Sequence, residues 1–132
     1  MRISREALDE VIAHARAAAP QECCGILLGT DEAITIVCPA RNVTDPADAE
    51  RRFEIDPREH FAARRLARQN GLRVVAFYHS HPRGPEHPSA TDVDDAMYPD
   101  VLTMIVSLAS DTPRARLFRI EGGRVDDVPL ES

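Results

Sequence analysis

"RVVAFYHSHP", residues 73 to 82, decides how this chain folds. Val74 to Tyr78 run without a polar break, where a strand with one solvated face would alternate. The stretch is therefore predicted to be a central strand covered on both faces, stopped by Pro82. Working outward, Asp56, Pro57 and Glu59 supply an N-cap, an N1 proline and an N3 carboxylate, and Asn70-Gly71 is a C-terminal signal, so a helix leads into the strand. "ERRFEID", residues 50 to 56, reads as another strand after the loop "RNVTDPADA". Further upstream, "CGILLG" and "AITIVCPA" are short β-rich runs across a polar turn and predict a hairpin. Ser4 is a good N-cap for a first helix with an apolar face of Leu8, Val11, Ile12 and Ala15, stapled by Ile3 and Leu8 and ended by Pro20. Downstream, "VLTMIVSLA" is a buried strand, and "RARLFRI" with "RVDDV" closes a hairpin around Gly122-Gly123. The fold class is α/β, a mixed sheet with at least two covering helices.

At 132 residues the chain is long enough for one domain, residues 1–132, with a core that needs no staples. Hydrophobic residues at 43% and charged residues at 29% exclude a disordered chain. A net charge of −6 gives no overall footprint for nucleic acid or an anionic membrane. No apolar run approaches the ~20 residues of a membrane span, and the charged, amphipathic N-terminus lacks an apolar signal core. A cytoplasmic protein is expected. Three cysteines, Cys23, Cys24 and Cys38, make neither a disulfide framework nor a C-x-x-C metal pair. All 16 basic residues are arginine, so nothing can be conjugated to a lysine of this chain.

The end of the central strand carries chemistry. Side chains alternate along a strand, so His79 and His81 project to the same side, spaced to share one metal ion. Ser89 and Asp92 spell a helix start, with Ser89 at N-cap and Asp92 at N3. The Gly- and Pro-containing loop between lets Asp92 return beside the histidines. Each feature has a plain structural alternative: strand-end histidines usually serve packing, and S-x-x-D is usually only a cap. Together, two imidazoles and a carboxylate supply three zinc ligands and leave a fourth position to water, the mark of a catalytic site. A base for that water is offered by Glu22, although local spacing does not distinguish it from an exposed loop glutamate. No H-E-x-x-H helix exists, nor an H-x-E with P-C-x-x-C, which excludes the zinc deaminases.

With these residues in view the chain resembles the JAMM (MPN-plus) metalloproteases, whose signature is an upstream Glu followed by H-x-H-P-x6-S-x-x-D. Here the signature stands as Glu22, His79-Ser80-His81-Pro82, Ser89 and Asp92. "PQECCGILLG", "RRFEIDP" and "VVAFYHSHP" look like segments of prokaryotic members, so the resemblance covers essentially the whole chain. It implies a single MPN-like domain, a mixed, curved sheet flanked by helices as in cytidine deaminases. It further implies one Zn²⁺ per chain on His79, His81 and Asp92, Glu22 as general base, and Ser89 as an oxyanion donor. The implied reaction is hydrolysis of a peptide or isopeptide bond. Small prokaryotic members act on ubiquitin-like sulfur carriers ending in Gly-Gly, which makes such a carrier the expected partner. Removal of a ubiquitin-like modifier from protein lysines is the alternative, and a non-catalytic MPN scaffold is a second. A Gly-Gly tail is expected to add as a strand in a groove beside the loop from Arg83 to Pro88 and the segment after Gly25.

Overall fold

The computed structural model describes residues 1–132, and its centre is the strand expected from the apolar run, β4 (Arg73–His81). It lies between β2 (Cys24–Gly29), antiparallel to it, and β5 (Leu102–Ser107), parallel to it. Adding β1 (Arg2–Ile3), β3 (Ala33–Ala40), β6 (Arg114–Glu121) and β7 (Arg124–Val128) gives one mixed sheet of seven strands, ordered β1-β3-β2-β4-β5-β6-β7. Both expected hairpins form, and Gly122 and Gly123 turn the second at φ 58° and 81°, a region that disfavours any Cβ. The edge strand β1 also meets the chain's last residues. Ile3 N–H donates to Glu131 O at 2.8 Å, and Glu131 N–H donates to Met1 O at 2.9 Å.

A helix covers each face. Helix α1 (Arg5–Ala18) starts as expected, the Ser4 hydroxyl accepting from Ala7 N–H, and buries Ala7, Val11 and Ala15. These pack with Leu27, Val75 and Tyr78, while Leu8 and Ile12 are only partly buried. Helix α2 (Pro57–Gln69) is capped by Asp56 and lays Ala63 and Ala67 over Cys24, Ile26, Leu28 and Val74. Alanine at those positions lets the helix backbone approach the sheet closely. Ile26, Leu27 and Leu28 are wholly out of solvent, each stabilising the fold by about 1.5–3 kcal/mol. No helix is long and apolar enough to cross a membrane.

One expected strand does not form. "ERRFEID" makes only an isolated bridge, Ile55 to Asn42. Its alternation suits a strand, but residues around Arg51 and Arg52 turn back onto Asp48, and the Asn42 side chain takes up the Arg52 carbonyl and the Glu54 amide. The backbone groups a partner strand would need are already used. Phe53 is thereby aimed at the end of β4.

Candidate metal centre

Alternation along β4 places both histidines on the α2 side of the sheet, where their Nε2 atoms lie 3.2 Å apart. Ser80 points the other way, and its hydroxyl accepts from Cys23 N–H at 2.8 Å. Beyond Pro82 the loop turns so that His81 Nδ1 bonds the Pro85 carbonyl at 2.8 Å. That bond puts the Nδ1 proton on the carbonyl side and turns Nε2 inward. Helix α3 (Ala90–Asp95) begins with a full capping box: Asp92 N–H donates to Ser89 Oγ, and Ser89 N–H to Asp92 Oδ2. The same Asp92 oxygen is 3.1 Å from each histidine Nε2. The cap that starts the helix also delivers the carboxylate.

Three lone-pair-bearing atoms held 3.1–3.2 Å apart repel unless a proton or a cation lies among them. A tetrahedral ion with ligands at ~2.0–2.1 Å separates those ligands by roughly 3.3 Å, so the spacing fits a metal ion. Glu22 approaches from the end of β2, and Glu22, His79 and His81 each offer a ligand atom within 4.8 Å of the others. Its Oε1 is buried without a hydrogen-bond partner. The two carboxyl groups differ in charge state. Burial pushes Glu22 up from 4.5 to about 7, with His81 opposing and Asp92 adding. Burial works against the charge of Asp92 too, but bonds from both histidines hold its carboxyl far below the usual range. Burial lowers His79, while at His81 the bonds to Asp92 and the Pro85 carbonyl outweigh burial and raise it. One carboxylate stays ionised; the other exchanges its proton near neutral pH.

Two cavities meet at the site. The larger, about 650 Å³, reaches His79 and Asp92 and is lined by Ile55, Phe77, Val101 and Ile120, with Met97 and Tyr98 exposed on it. The smaller, about 370 Å³, reaches Glu22, His81 and Ser89 along the Arg83–Pro88 loop and has no hydrophobic lining residue.

Residues 4–121 match the family described as prokaryotic homologs of the JAB domain. The chain belongs to that family. Among its JAB relatives, a desampylase of Haloferax volcanii is 35% identical over 80% of this chain and 78% of its own length. A CysO-cysteine peptidase of Mycobacterium tuberculosis is 32% identical over 97% of this chain and 88% of its own length. The solution structure of a Desulfitobacterium hafniense protein superposes with a TM-score of 0.86 at 33% identity, covering 98% of this chain and 90% of that one.

In this JAB domain the structure brings together all five residues singled out in the sequence: Glu22, His79, His81, Ser89 and Asp92. The expected groove along the segment after Gly25 is absent. β2 is hydrogen-bonded to β3 on one side and β4 on the other, so no further strand can add to it. Of the remaining histidines, His14 bonds the Tyr78 hydroxyl at 2.6 Å, and the exposed His87 lies edge-on to Phe118 and lines the smaller cavity. His60 instead lines the larger cavity, edge-on to Phe77 and Tyr98. Phe53 was not foreseen: its ring stacks on the fully buried His79 at 4.4 Å between centroids and 21° between planes. The apolar residue in the middle of "RRFEI" was its only signal.

Proposed function

We propose that this protein is a zinc-dependent protease, one JAB domain over residues 1–132, that hydrolyses the bond after the Gly-Gly C-terminus of a ubiquitin-like sulfur carrier. The observation that carries the reading is the convergence of two imidazoles and one ionised carboxylate beside a second carboxyl poised near neutrality. His79, His81 and Asp92 would hold the ion, since Asp92 keeps its charge and touches both histidines. Zinc, when bound, supplies a Lewis acid and an activated water. Glu22 takes the proton of the attacking water and returns it to the leaving amine; a carboxyl near 7 suits both duties at physiological pH. The Ser89 hydroxyl accepts from Asp92 N–H and keeps its own proton free for the developing oxyanion.

The two cavities support a reading of which side of the scissile bond lies where. Glu22, which must reach the leaving amine, lines only the smaller one, so the released residue sits there against the Arg83–Pro88 loop. The carrier's tail then approaches through the larger cavity, whose lining mixes Phe77, Val101 and Ile120 with Arg52, Glu54, Asp94 and Asp95. Relatives named as a desampylase and as a CysO-cysteine peptidase support hydrolysis at such a junction. Three free cysteines suit a cytoplasmic setting. The test is a sulfur carrier extended by one residue after Gly-Gly, read by intact mass. Loss of that residue with zinc-loaded protein, and not after chelation, is the expected result. Cleavage of lysine-linked isopeptides alone would move the substrate to modified proteins. No cleavage of either by zinc-loaded protein would overturn the protease reading.

A further inference from the structure

Two buried side-chain atoms in this fold lack any hydrogen-bond partner: Glu22 Oε1 and His79 Nδ1. A metal-binding histidine ordinarily donates its second ring N–H to a carboxylate, carbonyl or water that fixes the ring. No protein group accepts from His79 Nδ1, and none bonds the buried Glu22 oxygen to locate it. Backbone anchoring and packing must therefore do the work, and both lines of support lead to Asn42.

Asn42 lies half-buried just past β3, and its amide is saturated. Nδ2 donates to the Glu22 carbonyl at 3.1 Å and to the Arg52 carbonyl at 3.0 Å. Oδ1 accepts from Thr44 N–H at 3.1 Å and Glu54 N–H at 3.0 Å. Two carbonyls on one side and two amides on the other fix which way the side chain faces. The first bond holds the Glu22 backbone, whose N–H is held in turn by the Ala49 carbonyl at 2.7 Å. The bonds to Arg52 and Glu54 grip both neighbours of Phe53, the ring that lies flat on His79.

We propose that Asn42 is a positioning residue that sets Glu22 on one side of the site and, through Phe53, the His79 ring on the other. The inference rests on the roles proposed above for Glu22 and His79. A stacked ring replaces the missing hydrogen bond to His79, and one amide keeps that ring and the proposed base in register.

The test compares Asn42→Asp, Phe53→Leu and Phe53→Tyr with wild type, each normalised to its folded fraction by circular dichroism. Asn42→Asp keeps the size but replaces both donors with an oxygen facing two carbonyls. Three quantities are read: kcat, KM, and the rate at which zinc passes to a chelator. Asn42→Asp is expected to lower kcat by roughly 10–100-fold with KM within about twofold, and to speed zinc loss about tenfold, the scale of outer-shell losses at metal sites. Phe53→Leu should speed zinc loss similarly, and Phe53→Tyr, which keeps the ring, should restore the wild-type rate. Should Asn42→Asp not fold, Asn42→Ser, small and uncharged, serves the same comparison. Normal kcat and zinc retention in the folded Asn42 variant, or equal zinc loss from Phe53→Leu and Phe53→Tyr, would overturn the inference alone. A wild-type protein that takes up no zinc would overturn the metal-site reading and this inference with it.

Discussion

Replacing Glu22 with glutamine separates what the residue does for catalysis from what it does to the fold. The side chain is 6% exposed, and burial lifts its carboxyl from 4.5 to about 7. At 1.36 kcal/mol per tenfold, the rise from 4.5 to about 7 makes ionisation in the folded state cost roughly 3 kcal/mol. In metal-free protein the sign follows from proton counting. Below pH 4.5 the carboxyl is protonated in folded and unfolded chains alike, and the cost is absent. Between 4.5 and about 7 the unfolded chain ionises first, so wild-type stability falls as pH rises; above about 7 the full cost remains. Glutamine does not titrate. Glu22→Gln should therefore match wild type near pH 4.5 and melt higher above pH 7, by roughly 10 °C for a chain of this size. Turnover of the zinc form should fall by about 10²–10⁴, the usual loss of a general base, with zinc content unchanged. The assay is thermal unfolding of chelated protein across pH, beside turnover and elemental analysis of the loaded form. A melting difference equal at pH 5 and pH 8.5, or near wild-type turnover, would refute the reasoning.

His79→Ala or His81→Ala should strongly lower zinc content, and a double variant that still carries one zinc per chain by elemental analysis would sink the ligand assignment. Cys23→Ser and Cys24→Ser should keep hydrolysis, since burial pushes those thiols up to about 11 and about 12. Alkylation at pH 8 that abolishes turnover while zinc and fold survive would contradict this. Ser89→Ala should lose about 1 kcal/mol of helix capping and a further 10²–10³ in kcat if the hydroxyl is the oxyanion donor. A kcat that only tracks the folded fraction would leave the serine as a cap. Gly25→Ala would place a Cβ 2.3 Å from the Tyr78 ring, which is fully buried and bonded to His14. Overpacking of that kind costs about 1–3 kcal/mol, and an unchanged melting temperature would show that the ring gives way.

The elements that could be read in the sequence are those whose cause is local. Burial of β4 on both faces writes itself as an apolar run, and period-two alternation pairs His79 with His81. Asp92 was legible because its cap geometry is a four-residue pattern. Glu22 was different. Nothing near it in sequence marks it, and only the joined motif and then its contact with the histidines single it out. Strand order is equally hidden: "CGILLG" announces a strand, not that β3 and β4 occupy both its edges and leave no groove beside it. "ERRFEID" misled because its alternation is real, while its backbone bonds go to one asparagine side chain across a loop. Periodicity carries no trace of such a bond.

The seam joining the first strand to the last residues bears on the order in which the molecule assembles. The β2–β3 and β6–β7 hairpins close over a few residues and can form as soon as each is made. The bond from the Met1 amino group to the Pro129 carbonyl spans a separation of 128 residues. Contacts of that range are the slowest to find. On a ribosome the seam waits for residues 129 to 131 to emerge, so the hairpins and the β4 histidine pair precede the closing of the sheet. Ile3, whose amide is held by Glu131 and whose side chain is buried, is then a reporter of completion. Its hydrogen exchange should gain protection last in a pulse-labelled refolding series.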